Sequence, residues 1–168
     1  MPDPALPNAD QSGALFREGM SRVAAAVHII TTDGPFGKAG LTATAVSSLS
    51  AEPPMLLACV KRSASAAPLL RDNGVFVVNT LAAAHRELAD LFAGRTGLRG
   101  AQRFETQDWL KGEIGAPILP DALVSFECRV AQIIDESTHD IIIGHVVSVR
   151  LGQKSPHLLY ADRNYATL

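Results

Sequence analysis

The stretch Ala39-Gly40-Leu41-Thr42-Ala43-Thr44-Ala45-Val46-Ser47-Ser48-Leu49-Ser50 decides the fold. Its side chains are nearly all small or hydroxylated. It lies between two runs of β-formers, Val27-His28-Ile29-Ile30-Thr31-Thr32 and Met55-Leu56-Leu57-Ala58-Cys59-Val60. A strand ordinarily gains stability from large β-branched and aromatic side chains packed on its neighbours. One made of Thr, Ala and Ser forgoes that packing and leaves room beside its backbone. It offers a row of hydroxyls and approachable N–H and C=O groups, which suits either a solvated sheet edge or a flat polar ligand.

Working outward, residues 1–11 are Pro-rich, polar and without period, and are expected to form a mobile tail ahead of a single domain over 12–168. Ser12 is a candidate cap for a helix whose apolar positions Phe16, Met20, Val23 and Val27 recur at spacings of four, three and four. Asp33-Gly34-Pro35-Phe36-Gly37 reads as a turn between two strands. Ser63 to Asn73 reads as a short helix interrupted at Pro68 and stopped by Asn73-Gly74. A strand is expected from Val75 to Leu81 and a helix from about Ala83 to Phe92, with Leu88, Leu91 and Phe92 on one side. Gly94 to Pro120 has no regular period, and long loops in compact domains are usually functional or mobile.

The next strand alternates cleanly. Val124, Phe126, Cys128 and Val130 fall on one face and Ser125, Glu127 and Arg129 on the other, as in a half-exposed antiparallel strand. Ile141 to Arg150 reads as its partner, with Ser137-Thr138-His139-Asp140 in the turn. Strands in hairpins outnumber helices, so the expected class is mainly antiparallel β, a closed barrel with peripheral helices. No internal repeat is present.

Composition narrows the function classes. The chain has 168 residues, enough for one domain with a core; 47% are hydrophobic and 19% charged, which excludes disorder over most of the length. A net charge of −2 gives no basic field for nucleic acid or an anionic membrane. Nine aromatics are too few and scattered for a base-stacking platform. No apolar run approaches a membrane span, and Met1-Pro2-Asp3-Pro4 does not begin like a signal peptide. Cys59 and Cys128 each sit in an apolar strand pattern; they are expected to be buried reduced thiols in a cytoplasmic protein.

Familiar site types are missing as well. Gly94, Gly97 and Gly100 have the wrong spacing for either glycine-rich nucleotide loop. No serine-hydrolase elbow is present, and the Cys and His spacing fits no zinc site. What remains suits an anionic ligand: Lys61 and Arg62 follow a strand and precede Ser63, Ser65 and a helix, a cation with hydroxyls and helix N–H groups. The bland alternative is a solvated basic turn. His139 reads on its own as a turn residue, and His145 as a core or subunit-interface histidine. Trp109 suits either stacking on a ligand or covering an apolar cluster. The opposite faces of the strand from Ile141, with Ile141, Ile143 and Val147 on one and Ile142 and Val146 on the other, both need cover, which predicts a homodimer.

Five pieces stand in a telling order: the hydroxyl-rich strand with Glu52-Pro53-Pro54-Met55-Leu56-Leu57, then Val60-Lys61-Arg62-Ser63-Ala64-Ser65, Val75-Phe76-Val77-Val78-Asn79-Thr80-Leu81, Arg103-Phe104, and Thr138-His139-Asp140. Together they resemble the flavin reductase-like family with an FMN-binding split barrel, the short-chain reductases of two-component monooxygenases, over about residues 15 to 165. The wording is similar to that of the pyrimidine-utilisation branch. The resemblance implies an NAD(P)H-dependent reductase of free FMN, FAD or riboflavin, dimeric, supplying reduced flavin to a separate monooxygenase. It places Thr42, Ala43, Thr44 and Ser47 on the flavin, with Lys61, Ser63 and Ser65 at its phosphate. It also places Asp33 near the ribityl chain or ring edge, includes Arg103 and Phe104 in the flavin site, and sets His139 at the nicotinamide pocket as the one catalytic residue. The family often carries Gly-Asp-His where this chain has Ser-Thr-His-Asp, which leaves Asp140 without an assigned role. An oxidoreductase with tightly held flavin and its own substrate, or a flavin- or haem-binding protein without activity, remain alternatives.

Overall fold

The structure is a computed structural model and describes residues 9–168. Helix α1 (Ala9–Ser21) leads into β1 (Ala25–Ala26), β2 (His28–Thr32), β3 (Ala39–Ala43), β4 (Val46–Ala51) and β5 (Pro54–Lys61). Then come α2 (Ala67–Asn73), β6 (Val75–Thr80), a 3₁₀ turn (Ala83–His85) and α3 (Arg86–Phe92). A second 3₁₀ segment (Gly100–Thr106) precedes β7 (Leu110–Lys111), β8 (Pro117–Ile118), β9 (Val124–Glu136), β10 (His139–Leu151), β11 (Leu158–Ala161) and β12 (Asn164–Thr167).

Seven strands form one antiparallel sheet in the order β3-β2-β6-β9-β10-β5-β4. Its two outermost strands, β3 and β4, are consecutive in the chain and joined only by Thr44 and Ala45. Across a flat sheet they would lie about 29 Å apart, at roughly 4.8 Å per strand. Three residue steps reach only about 10 Å. The sheet must therefore roll into a barrel with a seam between β3 and β4, and the Cys59 N–H donating to Ala45 O at 2.9 Å brings the link against β5. The hydroxyl-rich stretch, expected as one strand, is thus two strands on either side of that seam.

Ile30, Leu56, Ala58, Val60, Phe76, Val78, Cys128 and Ile142 fill the barrel. Helix α2 plugs one end with Ala67 and Leu70. It starts at Ala67 rather than Ser63: Pro68 sits in its first turn, where the missing N–H costs nothing. Gly74 stops it at φ 66°, a left-handed conformation that glycine adopts freely. A second core lies outside the barrel, where Leu88, Ala89, Leu91 and Phe92 of α3 pack with Phe104 and Leu119 on Val27 and Ile29.

Four further expectations are corrected. Helix α1 begins at Ala9, so Ser12 lies inside it rather than at its cap, and only residues 1–8 of the expected tail lie outside the described residues; Ala9 and Gln11 are ordinary helix formers. Its apolar stripe is not packed, since Phe16, Met20 and Val23 are exposed and only Val27, beyond the helix, is buried. Ser125 and Glu127 are buried instead of solvated, because the segment from Gly112 to Ile118 lies over that face: Ser125 Oγ donates to Asn79 Oδ1 at 2.9 Å, and Glu127 Oε2 accepts the Ile114 N–H at 3.1 Å. Cys128 is buried, and burial pushes its thiol up to about 12, but Cys59 is only half-buried; both are free.

Candidate active site

The edge of β3 opens into a groove built from three adjoining cavities. One, of about 260 Å³, is lined by Gly40, Thr42, Lys61, Ser65, Phe92 and Arg103 among others. It shares Thr42 and Ala93 with a cavity of about 140 Å³ against Arg95, Tyr160 and Tyr165. On its other side it shares Ser65 and Arg103 with one of about 380 Å³ that runs past Ser63 under the loop Gly94–Gly100. Together they have the size of an ordinary small-molecule site. Lys61, Arg95, Arg99 and Arg103 line the groove, and among the described residues no carboxylate does.

The local structure explains the shape. β3 ends the strand order, so one edge of its backbone is open. Gly40 O on that edge accepts from Arg103 Nη1 at 3.5 Å. With the two-residue period of a strand, the N–H and C=O of Thr42 face the same way. Gly40 is needed here because an added Cβ would stand 2.7 Å from the Phe92 ring. The Thr42 hydroxyl donates to Ala89 O at 2.7 Å, so its proton is committed to α3 and the oxygen is left to act as an acceptor. Arg103 also donates to Phe92 O and Leu98 O, at 3.3 and 3.2 Å, and so ties α3, β3 and the loop together.

Most of the expected residues converge. Thr42, Ala43, Thr44, Lys61, Ser63, Ser65 and Arg103 all line the groove. Two of the amides behind Ser63 and Ser65 are committed within the turn, the Ala64 N–H to Lys61 O and the Ala67 N–H to Ala64 O. Lys61 and the two hydroxyls line that end of the groove.

Four of the expected flavin-binding and catalytic residues, Asp33, Ser47, Phe104 and His139, are not among those that line it. Phe104 is buried, edge-on to Phe92 and Trp109 at 5.0 and 5.1 Å, so it supports the wall from behind. Trp109 accordingly covers an apolar cluster. Asp33 caps its own hairpin, accepting from the Gly34 N–H at 2.9 Å and lying 3.7 Å from Lys38 Nζ. Ser47 lines a separate, largely apolar cavity of about 320 Å³ with His28, Phe126, Val146 and Val149. His139 is the first residue of β10 rather than a turn residue; it pairs across the ladder with Lys61, and its Nδ1 lies 2.8 Å from Thr138 Oγ1. Directly opposed residues project from the same face of a sheet. His139 therefore stands beside Lys61.

Sequence reasoning missed Arg99, Tyr160 and Tyr165. Arg95 is held by Asp90 at 2.7 Å and lies over the Tyr165 ring at 5.5 Å. Burial holds the Tyr165 hydroxyl above its ordinary range, so it remains a donor. The run Gly94-Arg95-Thr96-Gly97-Leu98-Arg99-Gly100, two cations among three glycines, was the available signal. His28 was missed too: it is buried, its Nδ1 lies 3.1 Å from Thr80 Oγ1, and desolvation pushes its pKa down to about 4.

Comparison with known proteins identifies the family. Residues 20–168 match the flavin reductase like domain. A protein from Stutzerimonas stutzeri (strain A1501), named FMN reductase (NADH) RutF, is 50% identical over 150 residues, covering 89% of this chain and 85% of its own. The structure of BorF, the flavin reductase component of a bacterial two-component tryptophan halogenase, superposes with a TM-score of 0.86 at 29% identity and covers 93% of this chain and 98% of its own. The Streptomyces globisporus NADH:FAD oxidoreductase SgcE6, solved with NAD and FAD fragments, superposes with a TM-score of 0.84 at 25% identity, covering 96% of each chain. The chain belongs to the flavin reductase-like family.

Proposed function

We propose that this protein is an NADH-dependent FMN reductase that passes reduced flavin to a separate flavin-dependent monooxygenase. The observation that carries the reading is the groove itself: four cations and, among the described residues, no carboxylate along the open edge of a hydroxyl-bearing strand. The donor set fits a phosphorylated flavin. Lys61, Ser63 and Ser65 hold the phosphate by charge and hydroxyl donation, and the Thr42 backbone and Thr42 lone pairs meet the polar edge of the ligand. Ala43 and Thr44 continue that wall beside Tyr160.

Bound flavin supplies the acceptor for hydride from the reduced nicotinamide, and that transfer asks the protein for no nucleophile. The groove's part is to align two flat rings at contact distance and exclude water, which converts an encounter into an intramolecular event. His139 is assigned to the nicotinamide nucleotide, which it meets from the Lys61 side. Asp33, Ser47 and Phe104 are given supporting roles, at the hairpin, in the neighbouring cavity and behind the wall.

The enzyme is a homodimer in this reading. Val147, Val149 and Leu151 are exposed along β10, as are Phe16 and Met20 on α1, and a second copy would cover them. Two free thiols agree with a reducing, cytoplasmic setting. Among the described residues no helix is long and apolar enough to cross a membrane.

The test is NADH oxidation by purified protein with and without added free FMN. A rate that depends on added flavin is expected. Oxidation that ignores added flavin would point to a tightly held cofactor, and no oxidation at all would point to a binding protein.

A further inference from the structure

We infer that Asp140 is a positioning residue that fixes the Lys61–Ser65 turn, and with it the affinity for the flavin phosphate. This rests on the reading of the groove as a site for a phosphorylated flavin.

Asp140 is the second residue of β10, paired with Val60 and on the inward side of the ladder. Its side chain is 5% exposed, so a charged carboxylate sits at the plugged end of the barrel. Such a charge is tolerated only when both oxygens are well partnered. Here they are. Arg62 Nε donates to Oδ1 at 2.9 Å and Arg71 Nη2 to Oδ2 at 3.0 Å. Arg62 belongs to the turn after β5, and Arg71 to α2. One buried carboxylate thus grips both ends of the segment that carries Ser63 and Ser65, and Lys61 directly precedes that segment.

The grip is reinforced on both sides. The Arg62 N–H donates to Thr138 O at 3.0 Å. Arg71 also reaches Asp135 Oδ1 at 2.8 Å, and that second pairing holds the Asp135 carboxyl below its ordinary range. Lys61 itself is in neither contact. Its place in the groove is set by the residue after it and by its ladder pairing with His139. Loosening Asp140 therefore moves a cation that Asp140 never touches.

The test compares FMN with riboflavin, which lacks the phosphate, by quenching of flavin fluorescence on titration with protein. Asp140→Asn keeps the size of the side chain and removes its charge. It is expected to raise the Kd for FMN about tenfold, the scale of one charge-assisted contact, while the Kd for riboflavin stays within about twofold. Adding Lys61→Met to Asp140→Asn should then cost FMN little more, because the two act through one contact. Arg62→Lys is the second variant, for the case in which Asp140→Asn does not fold. It keeps the positive charge but cannot reproduce the planar guanidinium contact, so it should show the same split. Equal losses for both flavins, or FMN binding unchanged in the folded variant, would overturn the inference. Wild-type protein that binds both flavins equally would instead overturn the phosphate reading beneath it.

Discussion

Replacing Lys61 by Met removes one charge and keeps the apolar stem of the side chain. Lys61 takes part in none of the ion pairs among the described residues, so the change strands no partner. Two unit charges about 4 Å apart attract by roughly 1 kcal/mol in bulk water and about 4 kcal/mol near a protein surface. Lys61 is exposed, with the groove wall on one side only. The lower half of that range applies, about 1–2 kcal/mol, or a five- to thirtyfold weaker Kd for FMN. Riboflavin should lose no more than about twofold. The assay is fluorescence titration of each flavin at low and high salt. The preference of the wild type for FMN should shrink as salt rises, since exposed pairs are screened over about a Debye length. Equal losses for both flavins, or a salt-independent difference, would refute the placement of the phosphate beside Lys61.

His139→Ala should lower kcat/KM for NADH about tenfold or more with flavin affinity intact, the scale of a positioning contact; a matching loss of FMN affinity would assign the imidazole to the phosphate beside Lys61. His28 is held neutral, with a folded pKa of about 4 against an ordinary value of 6.5. Between those values the unfolded chain binds the extra proton, so stability rises with pH across this window and falls by about 3 kcal/mol from its top to its bottom. Urea denaturation of His28→Gln should show a flatter slope between pH 4 and 6.5, and an unchanged slope would locate the titration elsewhere. Val149→Asp places a charge on the exposed apolar strip of β10 and should shift the mass in light scattering from dimer to monomer at micromolar protein; a dimer that persists would move the interface off this strip.

Local chemistry revealed the β2–β3 hairpin, the end of α2 and the strand β9, because the turn residues Asp33-Gly34, the helix stop Asn73-Gly74 and the period-two pattern of β9 act over a few residues. The groove was visible to the same extent: Thr42, Lys61, Ser63 and Ser65 carry their chemistry in short runs. What stayed hidden depends on contacts across the chain. Nothing near Ser125 or Glu127 announces that the segment from Gly112 to Ile118 will cover them. The break at Thr44-Ala45 is forced only by closure of a seven-stranded sheet. Asp140 looked like a turn residue because its two arginines lie 78 and 69 positions away. Arg99 and the tyrosines of the C-terminal hairpin were passed over for a like reason, since only the fold brings them to β3.

The open edge of β3 has a consequence for solubility. A strand with unpaired N–H and C=O groups is a template for another chain, and proteins with such edges cover them or put charge there. In this protein the guard is Arg103, which caps Gly40 O and pins the Gly94–Gly100 loop over the strand. Its loss would leave the core cluster of the barrel intact while exposing a short run of Ala, Gly, Leu and Thr backbone. Folded monomer units would then gain a route to edge-to-edge association without first unfolding. The residue that lines the candidate groove would thus also stand between this fold and aggregation, and a ligand bound there would share that duty by occupying the same edge.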